Sequence, residues 1–127
     1  MDTQRNENRN TYKIHDNSNL GEVQISDDVL AVISAMAAME VEGVVAMAGN
    51  ITAELVSKLG MKKLSKGVRV DVAEHNVMID LSIVLRMNEN ILEISKKVQD
   101  KVKSTVENMT GMEVVNVNVN ISSVATN

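Results

Sequence analysis

The residues able to do chemistry in this chain are few, and the densest group is cationic. Lys58, Lys62, Lys63, Lys66 and Arg69 fall within one short stretch. Cations at that density suit an anionic contact, with lipid headgroups or with an acidic protein, each lysine near such a surface adding about 1 kcal/mol. The plain alternative is a solvated loop kept soluble by its lysines. Acids gather earlier, at Glu22, Asp27, Asp28, Glu40 and Glu42, so charge is polarised along the chain. Asp27 and Asp28 sit at a helix start, where the helix dipole alone accounts for them. Glu40 and Glu42 sit at a helix end, where it disfavours them; they mark either a contact or a frayed last turn in water.

A catalytic or metal centre needs several groups converging within a few ångströms. The histidines, His15 in a polar N-terminal stretch and His75 in a turn, do not supply that. The chain has no cysteine, which excludes disulfides, thiolate metal sites, iron–sulfur ligation and thiol catalysis together. Its glycines make neither GxxxxGK[ST] nor GxGxxG, so no phosphate-cradling loop is expected. Catalytic, cofactor and metal sites, and a small-molecule substrate, are therefore all expected to be absent.

A second candidate surface comes from alternation. Arg69, Asp71, Asp80, Ser82, Arg86, Asn116, Asn118 and Asn120 all fall between apolar neighbours at a spacing of two, which puts them on one sheet face. Asparagine is a poor strand former. Three at alternating positions point to a hydrogen-bonding ladder or a partner-facing surface; the alternative is compositional, since the chain is rich in Asn throughout.

These residues need elements to hold them. Met1 to Asn19 carry little apolar surface and no period, so residues 1–19 read as an unstructured tail in which only Tyr12 and Ile14 could anchor. Residues 21–25 read as a strand, and Ser26 caps a helix over 27–41 that Gly43 stops. A strand at 44–47 and a short helix capped by Asn50 follow, then a basic, mobile loop over 61–67. Val68, Val70 and Val72, and then Ile79, Leu81, Ile83 and Leu85, alternate as a hairpin with one buried face. Asn90, with Glu93 in capping-box register, opens a helix over 91–110 whose stripe is Ile91, Ile94, Val98, Val102, Val106 and Met109. Gly111 stops it, and residues 115–121 form a last strand with Val and Ile on one side and Asn on the other. The expected fold is α/β (α+β): a two-layer sandwich, with helices on one face of a small mixed sheet, in the order β-α-β-(α)-β-β-α-β. A single domain should span 20–124.

Composition bounds the rest. At 127 residues, with 44% hydrophobic residues and 1% aromatic, the core must be aliphatic and methionine-rich. The lack of aromatics and the net charge of −4 argue against a nucleic-acid partner. The longest near-apolar stretch, Val29 to Met39, is too short to span a bilayer. No secretory signal is visible, so a cytoplasmic location is expected, and any membrane association must come through a partner.

The ordered set of segments has a likeness. It runs through Gly21-Glu22-Val23-Gln24-Ile25-Ser26, Met39-Glu40-Val41-Glu42-Gly43-Val44, Lys66-Gly67-Val68-Arg69-Val70, Ile79-Asp80-Leu81-Ser82-Ile83-Val84, Val98-Gln99-Asp100-Lys101-Val102-Lys103, Val106-Glu107-Asn108-Met109-Thr110-Gly111 and Val115-Asn116-Val117-Asn118-Val119. Over about residues 20–123 this resembles the alkaline shock protein and general stress protein family of Gram-positive bacteria. The resemblance implies a cytosolic protein linked to cell-envelope or alkaline stress, without enzymatic activity. It implies a location near the membrane through a partner, and self-association. The expectation is thus a non-enzymatic interaction or scaffold protein with a protein partner, a second copy of itself, or both. The competing expectation is a small nucleic-acid-binding module using the basic loop 58–69.

Overall fold

The computed structural model describes residues 11–17 and 19–126. In chain order the elements are β1 (Thr11–Asn17), β2 (Gly21–Ser26), α1 (Asp27–Met39), β3 (Val44–Met47), α2 (Ala53–Leu59), a 3-10 segment (Met61–Gly67), β4 (Val68–Ala73), β5 (Asn76–Arg86), α3 (Ile91–Thr110) and β6 (Glu113–Ala125). Strands and helices mix as expected for an α+β fold.

The main sheet is built on β5, the longest alternating apolar run. Its Val77, Ile79, Leu81, Ile83 and Leu85 are all buried. β4 pairs antiparallel with β5 from Val68↔Leu81 to Ala73↔Asn76, and β3 pairs antiparallel with Ile83 to Leu85. β6 runs parallel to the whole of β5, from Asn76↔Glu113 to Arg86↔Ala125. A strand has only two edges, so β3 and β4 share one edge of β5 end to end, and β6 takes the other. The handover falls at Ser82, whose carbonyl accepts from the Ala48 N–H at 2.9 Å. Gly67 fits there because a Cβ would press on Met47 Cε at 3.3 Å and the Ser82 oxygen at 3.4 Å.

α3 covers the inner face. The Asn90 side chain accepts from the Glu93 N–H at 2.9 Å, and Gly111 ends the helix in the left-handed conformation at φ 77°. Its stripe of Ile94, Val98, Val102 and Val106 is buried, whereas Ile91 and Met109, expected on that stripe, are exposed at its ends. α1 starts on Ser26, which accepts from the Val29 N–H at 3.2 Å. It is buried on several sides through Leu30, Ala31, Ser34, Ala35, Ala37 and Ala38. The core is aliphatic and methionine-bearing, with Met47 and Met112 fully enclosed.

Several expectations change. Thr11–Asn17, placed within the unstructured tail, is a strand that pairs antiparallel with β2 as a separate two-stranded sheet. Tyr12 and Ile14 pack against the core, and the β2 backbone supplies the hydrogen bonds that the local sequence lacks. Residues 1–10 lie outside the described residues. α1 ends two residues early, on Glu40 rather than at Gly43. The short helix is capped by Thr52, not Asn50; Thr52 accepts from the Leu55 N–H at 3.3 Å, while Asn50 occupies a turn at φ 60°. The basic loop is a 3-10 helix, pinned by Leu64 at 2% exposure. β6 spans Glu113–Ala125 where a strand over 115–121 was expected, and its period is broken by register shifts that leave Val115 and Ser122 without a counterpart on β5.

Candidate interaction surface

The face of the sheet away from α3 carries the alternate residues of three strands. Arg69 and Asp71 of β4, Met78 of β5, and Asn116, Asn118 and Asn120 of β6 are exposed, while Asp80 and Ser82 are half-buried between them. Register sets them in rows. Arg69, Asp80 and Asn118 lie side by side across β4, β5 and β6; so do Asp71, Met78 and Asn116, and Ser82 stands beside Asn120. One rung of the expected ladder is formed, with Asn118 Nδ2 donating to Asp80 Oδ1 at 2.7 Å.

The rows close on an open concavity of about 440 Å³ lined by Lys66, Gly67, Arg69, Asp80, Ser82 and Asn120, with Ala48 and Val68. Residues of both candidate surfaces meet here. The end of the 3-10 segment brings Lys66, the start of β4 brings Arg69, and β5 and β6 bring the polar floor. Neither Lys66 nor Arg69 is in an ion pair among the described residues. Two free cations therefore flank a floor whose one carboxylate is already hydrogen-bonded.

The remaining expected residues fall elsewhere. Lys58 is in the last turn of α2, where its charge suits the helix dipole, and Lys62 and Lys63 are on the 3-10 segment. None of the three lines the concavity. Arg86 lies at the far end of β5, tied to Glu89 at 3.1 Å. Asp71 lines a second concavity of about 360 Å³, with Met78 and Val115 as its apolar wall. That apolar element was missed in sequence, because Val115 is the extra residue of a bulge and so departs from the alternation.

Other features resolve into structure. Glu40, in doubt at the end of α1, pairs with Lys101 of α3 at 3.2 Å, which offsets its misfit with the dipole. The two histidines, far apart in sequence, line one concavity of about 280 Å³ with Lys13, Ile14 and Asp16. Among the described residues no group of three or more His, Cys, Asp or Glu is placed to hold a metal ion. Among the described residues no helix is long and apolar enough to cross a membrane.

The alkaline shock protein 23 family, of cell envelope-related function, matches residues 15–126. The chain belongs to that family. Among its relatives, YqhY of Bacillus subtilis is 35% identical over 107 residues, covering 84% of this chain and 79% of that protein. YloU of the same organism is 33% identical over 106 residues, covering 82% and 88%. A Streptococcus pyogenes protein named as a stress response regulator gls24 homolog is 29% identical over 119 residues, covering 93% and 66%. Among solved structures, MamM CTD superposes at a TM-score of 0.46 and 12% identity, over 74% of this chain and 90% of that one. The family match includes all three strands of the open face and β1 from His15 onward.

Proposed function

We propose that the chain is a non-enzymatic interaction or scaffold protein of the cell-envelope and stress-response type, acting in the cytoplasm. It binds an acidic protein partner through the open sheet face, and reaches the membrane only through that partner. The observation that carries this reading is the concavity in which Lys66 and Arg69, both free of ion pairs among the described residues, flank a floor of Asp80, Ser82 and Asn120. Unpaired cations at a rim steer an anionic partner and fix its register, and the Asn and Ser groups offer neutral donors and acceptors once water leaves. The family's cell envelope-related function and the stress-regulator relative support the setting.

Charge reversal tests it. The K66E/R69E double variant is expected to keep the fold, because both side chains point to solvent, and to lose most co-purification of an acidic partner from cells. A K97E variant, on the exposed side of α3, should keep it. Equal recovery by all three proteins, or recovery of nucleic acid in place of protein, would remove the proposal.

A further inference from the structure

We propose that the apolar groove between α1 and α2 seats a basic amphipathic helix of a partner protein. α1 carries more apolar surface than the core takes up. From Val29 to Met39 its one polar residue is Ser34, which is buried and donates to the Leu30 carbonyl at 2.8 Å. Leu30, Ala31, Ala35, Ala37 and Ala38 spend one face of the helix on the core. The residues at i, i+3, i+4 and i+7 on the other side are Val29, Val32, Ile33 and Met36. A helix that is apolar all round is ordinarily covered all round, yet Val29 is 46% exposed and Met36 40%.

That stripe runs into a concavity. Met36 and Met39 of α1, Ala53 and Val56 of α2, and Leu64 line a space of about 240 Å³, with Glu40 as the one charged residue in its lining. α2 lacks cover as well, since none of its residues is buried and Leu59 is 54% exposed. Size decides what enters. The space falls below the roughly 300–1,000 Å³ of small-molecule sites and suits one or two aliphatic side chains, which methionine walls accept in varied shapes. An apolar groove continued by a stripe of helical period takes an amphipathic helix laid along it. Val29 to Met36 alone spans about 10 Å, two turns of such a helix.

Charge decides which helix. Asp28 adjoins Val29, Glu40 stands at the mouth of the concavity and Glu54 adjoins Ala53, all three exposed. α1 contains no lysine or arginine, and none lines the concavity. Glu40 has Lys101 at 3.2 Å, an exposed pair of a kind that holds little energy, so a partner's cation can share that carboxylate. Acids around an apolar strip select an apolar face bordered by lysine or arginine. A second copy of this chain cannot supply it, because the stripe of its lysine-bearing helix α3 is already buried. The groove shares no lining residue with the concavity at Lys66 and Arg69, so the two proposals hold or fail separately.

The probe is a labelled leucine–lysine peptide of about 14 residues, long enough to form a helix, with its leucines at i, i+3, i+4 and i+7. Its controls are a shuffled peptide of the same composition and a leucine–glutamate counterpart. By fluorescence anisotropy the full chain should bind the probe about tenfold or more tightly than either control. M36E and E40K should each weaken that binding about tenfold, with melting temperatures near wild type because both side chains are exposed. K66E/R69E should leave it unchanged. In cells, a photoreactive residue at Met36 should join a lysine- or arginine-bordered amphipathic segment of another protein. Equal binding of the shuffled peptide, a preference for the glutamate peptide, or wild-type affinity in both M36E and E40K would overturn the proposal. So would a Met36 adduct with a second copy, an acidic segment or lipid, or no adduct at all.

Discussion

The carboxylate of Glu107 shows how one residue joins two elements. It accepts the Val114 N–H at 3.0 Å and pairs with Lys103 at 3.3 Å, and Lys103 in turn reaches the Val114 carbonyl. The backbone hydrogen bond, with the lysine in support, holds its pKa below the ordinary 4.5. A carboxylate depressed in the folded state adds stability that is present above 4.5 and fades as pH falls through its folded value. Wild-type stability, followed by denaturant melts from pH 7 down to pH 3, should therefore carry an acid-side loss that Glu107→Gln lessens. An identical pH profile in both proteins would remove this role. Lys13 works in the opposite sense. Its bonds to Glu22 at 3.1 Å and to Asp16 at 3.7 Å raise its pKa above 10.5, with Glu22 the larger cause. Its contribution is complete below 10.5 and is lost as pH rises through the folded value.

At the scale of elements, legibility followed locality. α3 was readable because cap, stripe and stop all lie within its own sequence, at Asn90, Ile94 to Val106, and Gly111. β4 and β5 were readable because alternation registers burial directly. β1 was not, since TYKIHDN holds only Tyr12 and Ile14 as apolar anchors and depends on β2 for its hydrogen bonds. The 3-10 segment was missed for a similar reason: one buried leucine among three lysines gives no period. Leu64→Ala should accordingly cost about 3 kcal/mol, against almost nothing for Lys62→Ala; equal stabilities would place Leu64 outside the core. Gly43 has φ 105°, and an added Cβ would meet Ile94 Cδ1 at 2.9 Å. Gly43→Ala should destabilise by about 1–3 kcal/mol through strain and crowding. Ile94→Val, which removes that methyl, should recover part of the loss in the double variant; strict additivity would contradict the contact.

At the scale of the molecule, helices lie against one side of a sheet whose other side is exposed at Arg69, Asp71, Met78 and the Asn row. The outward alternation of Asp71, Asp80, Ser82 and the Asn row was visible in sequence. Arg69 was placed on that face from the same alternation, but its meeting there with Lys66 was not visible, because that depends on how the 3-10 segment enters β4 beside β5, which no local pattern encodes. Lys58, on α2, and Lys62 and Lys63, early in the 3-10 segment, fall outside that concavity. If the open face is the working surface, site-specific photo-crosslinking in living cells will show it. A photoreactive residue at Asp71, on the open face, should give discrete adducts with another protein, and one at Lys97, on the exposed side of α3, should not. Adducts from Lys97 with none from Asp71 would mean that the open face is not the working surface.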